Sequence, residues 1–304
     1  MMWLGTRNFT FLRVAVVYVF FIWVSSLILP SVLRQPRISP SWSRRLRFGV
    51  NYLQKNFFQQ LLFLALPIYY ASTTLWSRQV VYLVVLAASA ILSTLDVVYD
   101  EFLSRRWSYF AVFFAFNLLA SINLFLPILW GISNTLSLHI SAFLALIGFT
   151  TVFVRGSHLS RSQVGKVLVG GGLLLLLIIE LGRSFIPPAP LRMVWFSFGS
   201  SIDRQALTMV APQTSLPATW TGRIYGLTAI RAPLGLNERV RHEWYTKQGL
   251  VFASPYHTIT GGRQQGYRLW TSCLLKNLPP GQKLYLDVKT EGGQLIGRAV
   301  LPLD

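Results

Sequence analysis

The chain has 304 residues, of which 53% are hydrophobic and only 12% charged, about half the charged fraction usual in a soluble domain. The net charge is +18, but most bases flank apolar runs, as topogenic signals and anionic-lipid contacts do, so the basicity is not read as a nucleic-acid site. A single cysteine, Cys273, excludes an internal disulfide and a cysteine-rich metal centre.

The charge is uneven along the chain. Residues 1–202 carry 16 bases against four acids, Asp96, Asp100, Glu101 and Glu180, whereas residues 203–304 carry 12 bases and six acids. The predicted fold is therefore a membrane all-α part with about six transmembrane helices in residues 1–190, then a linker over 191–217. A small all-β sandwich domain follows over 218–304.

A bilayer crossing takes about 20 apolar residues. Runs of that kind occupy 9–33, 57–76, 79–99, 107–130, 135–154 and 166–186. The first is too long for a signal-peptide core and lacks a small-residue cleavage site, so it is read as a retained helix. Pro30, Pro67 and Pro127 fall in or near helix ends, and Trp76, Trp107 and Trp130 sit at predicted boundaries, where interface aromatics gather.

Eleven bases fall on one set of connections: Arg34, Arg37, Arg44, Arg45, Arg47 and Lys55, then Arg105 and Arg106, then Arg155, Arg161 and Lys166. The positive-inside rule makes that side cytoplasmic, with anionic lipids as partners of its loops. Both termini and the β domain are then expected outside, facing the periplasm or the cell exterior. Residues 41–56 form a basic amphipathic segment, with Ser41 as its cap and Trp42, Leu46, Val50, Leu53 and Phe57 on one face. It is read either as a helix in the headgroup layer or as an ordinary charged linker.

After Pro187-Pro188-Ala189-Pro190 no helix continues. From Ala218 the period changes to two. Val240, His242 and Trp244 alternate with Arg241, Glu243 and Tyr245, and Leu284, Leu286 and Val288 alternate with Tyr285, Asp287 and Lys289. Turn signals at Gly261-Gly262, Pro279-Pro280-Gly281 and Glu291-Gly292-Gly293 divide five to seven short strands, the pattern of a β-sandwich.

Two stretches are familiar. Leu66-Pro67-Ile68-Tyr69-Tyr70 with Leu95-Asp96-Val97-Val98-Tyr99-Asp100 resembles the membrane half of an uncharacterised bacterial multi-pass family. His242-Glu243-Trp244 with Gly261-Gly262-Arg263-Gln264-Gln265-Gly266-Tyr267-Arg268-Leu269-Trp270-Thr271 resembles the C-terminal domain of unknown function that such proteins carry. The likeness covers residues 50–304, departing from the family pattern at 264–265, where acids are preferred, and at 271, where serine is. It implies a bacterial envelope location and a β-sandwich, and it transfers no catalytic residue.

Ionisable groups within apolar runs are functional hypotheses by default. Ser89, Ser93, Asp96 and Asp100 are spaced to share one helix face. Arg13 and Glu180 reach similar depths in the first and last helices, with Arg183 one turn from Glu180. Both sets are open to a structural or a proton- or substrate-binding reading. Gly170-Gly171-Gly172 permits close helix contact, but no Lys-Ser/Thr follows to make a phosphate loop. No metal-ligand spacing, nucleophile elbow or cofactor motif is present.

In the tail, His242, Trp244, Arg263, Tyr267, Arg268 and Trp270 make a candidate ligand-binding surface of donors and aromatic faces. The competing reading packs His242 and the hairpin aromatics into the core. Two functions follow. One is a non-enzymatic envelope protein that presents the β domain to a glycan, cell-wall polymer or protein, with a homo-oligomer left open. The other is a small transporter or membrane enzyme with Asp96 and the Glu180 set at its site and the β domain as a regulatory cap.

Overall fold

The computed structural model describes residues 10–33, 39–103, 105–157, 160–217, 220–275 and 282–304. Arg34, Arg37 and the Pro279-Pro280-Gly281 turn lie outside the described residues, as do the side chains of Arg13, Arg155 and Arg161. The chain forms two compact units, one of residues 1–68, 81–129 and 136–182, the other of residues 69–80, 130–135 and 183–304.

The helices are α1 (Thr10–Leu33), α2 (Pro40–Ser72), α3 (Gln79–Thr94), α4 (Asp96–Val98), which runs into a π turn at Tyr99–Leu103, α5 (Trp107–Trp130), α6 (Asn134–Ser157) and α7 (Arg161–Gly182). Three segments are long and apolar enough to cross a membrane: Trp107–Trp130, Asn134–Val154 and Ser162–Phe185. A fourth arises if Gln79–Thr94 and Asp96–Leu103, bent by 91°, form one span. Six such spans are not found among the described residues.

The shortfall in α2 has a physical reason. Gln54, Lys55 and Gln59 interrupt its apolar run, and all three are used inside the helical unit. The Gln54 amide donates to Ser25 Oγ at 2.8 Å and Ser26 Oγ at 3.0 Å, the Gln59 amide donates to the Ser93 carbonyl at 2.7 Å, and Lys55 pairs with Asp96. The basic segment 41–56 is helical, as one of the two readings expected, and not a linker: it is the first half of α2. Its cap is Ser39 rather than Ser41: Pro40 takes the first helical position and the Trp42 amide donates to Ser39 Oγ at 3.4 Å.

The expected helix over 79–99 breaks at Leu95, which is extended (φ −82°, ψ 98°). The hydroxyls of Ser89 and Ser93 bond back to Val85 and Ala90 carbonyls, so the polar stripe ends there. Asp96 and Asp100 lie past the bend, exposed, on a differently directed segment. Close helix approach occurs at two of the three triplet glycines, since a Cβ on Gly171 or Gly172 would stand 3.3 Å from Leu146 of α6, and more tightly at Gly148 of α6. A Cβ there would stand 2.8 Å from Leu118 and 3.0 Å from Phe114 of α5, whereas Gly170 faces open space. Of the Ser162–Phe185 segment only 6% is buried in this chain.

The second unit is a β-sheet domain. Its strands are β1 (Arg192–Gly199), β2 (Ile202–Asp203), β3 (Thr208–Met209), β4 (Pro212–Gln213), β5 (Gly222–Arg231), β6 (Asn237–Thr246), β7 (Gly249–Ala253), β8 (His257–Thr260), β9 (Tyr267–Leu275), β10 (Lys283–Thr290) and β11 (Leu295–Pro302). One sheet runs β4-β1-β5-β9, and the other runs β11-β10-β6-β7, with β8 also on β6. Residues 191–217, expected as a linker, instead supply β1 to β4. The period-two signal fails in β1 because a bulge between Met193 and Trp195 shifts its register on β5.

Inward side chains of both sheets share one core, with Phe198, Ile224 and Cys273 on one side and Trp244, Leu286 and Leu301 on the other. Gly226 of β5 makes room for the indole of Trp244, since a Cβ there would lie 2.8 Å from it. Two turns between helices belong to this unit. Gln79, which closes the α2–α3 turn as the first residue of α3, accepts from the Thr74 amide at 3.0 Å and donates to the Leu295 carbonyl at 2.6 Å. At the α5–α6 turn, Glu238 of β6 accepts the Asn134 amide at 2.7 Å and so serves as a cap from another element.

Candidate functional site

The six tail residues proposed from sequence do not form one surface. His242 and Trp244 are fully buried. The Trp244 indole donates to Thr271 Oγ1 at 2.9 Å, Thr271 Oγ1 meets His242 Nδ1 at 2.8 Å, His242 Nε2 meets Thr228 Oγ1 at 2.9 Å, and that hydroxyl reaches the Leu269 carbonyl at 3.5 Å. Every hydroxyl proton in this chain has an acceptor if His242 is neutral, with its proton on Nε2. The departure at position 271 is thereby explained: threonine keeps the hydroxyl that serine would supply.

Burial, and secondarily His257, pushes the His242 imidazole down to about 3. A free histidine titrates near 6.5, so below that pH the unfolded chain takes up a proton that the folded domain refuses. The expected result is stability that holds above about pH 6.5 and falls by up to about 1.4 kcal/mol per pH unit below it. Glu238, whose carboxyl burial pushes up, contributes with the opposite sign. Denaturation from pH 7 to 5 therefore compares the native chain with His242→Gln: a slope that survives this change would contradict the assignment.

The other four residues divide. Arg263 lies over the Tyr267 ring at 5.1 Å. On the opposite face of β9, Arg268 donates to the carbonyls of Ala206 and Leu207 at 3.1 and 3.0 Å, and Trp270 lies under Arg204 at 5.2 Å. Both pairs hold local structure. Of the intramembrane set, Glu180 sits 3.2 Å from His139, a partner the sequence reading did not name, and Asp96 holds Lys55. Asp100 and Arg183 also have partners within the chain.

The outward face of the five-stranded sheet carries denser chemistry. Glu243 and Asp287 point away from the core, yet each is nearly fully buried. Glu243 accepts Lys289 at 2.6 Å, and Arg241 and Tyr245 also bind it. Burial alone would raise the Glu243 carboxyl, but these partners outweigh it and hold it below the usual range. Asp287 takes both prongs of Arg298, at 2.6 and 2.7 Å. The cations also cover rings, Lys289 over Tyr245 at 4.8 Å and Arg298 over Tyr285 at 5.4 Å.

Beside this face, the α2–α3 turn walls an open cleft of about 690 Å³ whose lining includes Leu75, Trp76, Arg78, Asp287, Lys289 and Arg298. Sequence reasoning placed Asp287 and Lys289 outward but gave them no role. The signal was there as oppositely charged residue types on one face, but only strand register pairs Asp287 with Arg298. Among the described residues no group of three or more His, Cys, Asp or Glu is placed to hold a metal ion.

A family model described as "Family of unknown function (DUF5924)" matches residues 2–219, which is the helical part and the first strands of the β-sheet domain. The match does not extend to the residues of the tail, beyond 219, on which the sequence likeness was most specific. A search of curated proteins finds no match.

Proposed function

This chain belongs to the DUF5924 family of unknown function, and from that premise we propose that it is a multi-pass membrane protein presenting a non-enzymatic β-sandwich binding module outside the cytoplasm. In this reading α1 and α2 also cross the bilayer, giving six spans. Their polar side chains are tolerated because partners inside the bundle satisfy them. The ligand is a glycan, cell-wall polymer or protein met on that side, and the Arg- and Tyr-rich outer face of β6, β10 and β11 is the part that receives it.

One observation carries the orientation. The turns joining α2 to α3 and α5 to α6, and the segment after α7, all belong to the β-sheet unit. The basic connections, including Arg44, Arg45, Arg47, Arg105 and Arg106, belong to the helical unit. With six helices alternating in direction, the positive-inside rule assigns those connections to the cytoplasm and supports an external C-terminal domain.

Cysteine labelling tests it, since the native Cys273 is buried. Lys247→Cys, on the exposed β6–β7 turn, is expected to react with a membrane-impermeant maleimide in intact spheroplasts. Arg105→Cys is expected to react only after permeabilisation. The reverse pattern would overturn the reading.

A further inference from the structure

We propose that the cleft between the α2–α3 turn and strands β10 and β11 is a binding site for an anionic phosphate-bearing headgroup. Three cations converge on it, Arg78, Lys289 and Arg298. Two of them are already committed, Lys289 to Glu243 and Arg298 to Asp287. The third is not: Arg78 lies over the Phe185 ring at 5.8 Å, and no carboxylate of the described residues pairs with it. Its position is nonetheless fixed, because the next residue, Gln79, is fully buried and bonded to the Leu295 carbonyl.

A guanidinium held in place over a ring keeps its N–H edge for a two-pronged acceptor, and phosphate oxygens match that fork better than a single carbonyl does. With Glu243, Asp287 and Arg241 counted, the cleft and its supporting network remain net positive, so an anion is attracted and a cation repelled. Ser184 lines the same space and its hydroxyl can donate to a further oxygen, whereas the Ser77 hydroxyl is already given to the Thr74 carbonyl at 2.6 Å.

The mouth of the cleft points to the source of the phosphate. Leu75 is 55% exposed and Trp76 93% exposed. They lie between the end of α2 at Ser72 and the start of α3 at Gln79. An exposed Trp beside a span end belongs at headgroup depth, which places a lipid phosphate within reach of Arg78. That lipid source, but not the phosphate chemistry, rests on the membrane reading above.

The test uses the full chain purified in dodecyl maltoside without phosphate. Calorimetric titration with dihexanoyl phosphatidylglycerol is compared with sn-glycerol 3-phosphate and with the zwitterionic dihexanoyl phosphatidylcholine. The anionic lipid is expected to bind, and Arg78→Gln to weaken it about tenfold, the loss typical of one charged hydrogen-bonding partner. Arg78→Lys, which keeps the charge without the fork, is expected to fall between, and Lys247→Gln to change nothing. Binding of glycerol phosphate alone, with the same dependence on Arg78, assigns the site to a soluble phosphate ester. Equal binding of the zwitterionic lipid overturns the proposal, as does an affinity indifferent to Arg78→Gln in a protein that melts like the native one. Failure here leaves the labelling result above untouched, and the converse holds.

Discussion

Replacing Arg298 with alanine is expected to destabilise the β-sheet domain by about 3–5 kcal/mol, the cost of leaving one member of a buried ion pair without its partner. The side chain of Asp287 is only 1% exposed. Both of its oxygens are occupied by the one guanidinium, across the β10–β11 pair. Without Arg298 the carboxylate must stay charged in a poorly solvated place, take up a proton, or drag β10 open. The measurement is chemical denaturation of the full chain in detergent, with hydrogen exchange on β10 and β11 to locate the loss. Asp287→Leu added to Arg298→Ala is expected to restore much of the stability, because it removes the stranded charge. A loss below about 1 kcal/mol from Arg298→Ala alone would place the pair among exposed bridges of little value.

The second large effect concerns Thr271. Valine has nearly the same shape but no hydroxyl, so Thr271→Val leaves both the Trp244 indole N–H and His242 Nδ1 without their partner. Each orphaned buried group costs about 1–3 kcal/mol, so about 2–6 kcal/mol is expected in total. Thr271→Ser retains the donor and acceptor and is expected to cost under about 1 kcal/mol, the scale of one lost methyl group. The same denaturation experiment decides it. If valine were tolerated and serine were not, packing rather than hydrogen bonding would govern this position.

Together these variants separate two kinds of burial. His242 and Thr271 lie between the sheets, where polar groups are satisfied by one another. Asp287 and Glu243 lie on the outer face, where long cationic side chains cover them. Arg78 differs from both: it faces the cleft with no acidic partner among the described residues, so its removal is expected to change binding rather than folding.

The amino-acid sequence by itself determined what depends on local period and hydropathy. The helix over Trp107–Trp130 has the bounds read from its apolar run, and the strand alternation at Val240, His242 and Trp244 puts all three in the interior. Tertiary structure alone decided the rest. The bend at Leu95 interrupts an apolar run that reads as continuous, and Gln54, Lys55 and Gln59 find their partners on other helices. Of the strands within 191–217, β1 escapes notice because a bulge shifts its register, and β2, β3 and β4 because each has only two residues. The burial of Glu243 and Asp287 follows from strand register, and the seating of Gln79 and Asn134 in the β-sheet unit joins residues more than 100 positions apart. Periodicity reports which face a residue occupies, whereas the partner waiting on that face comes from a distant part of the chain.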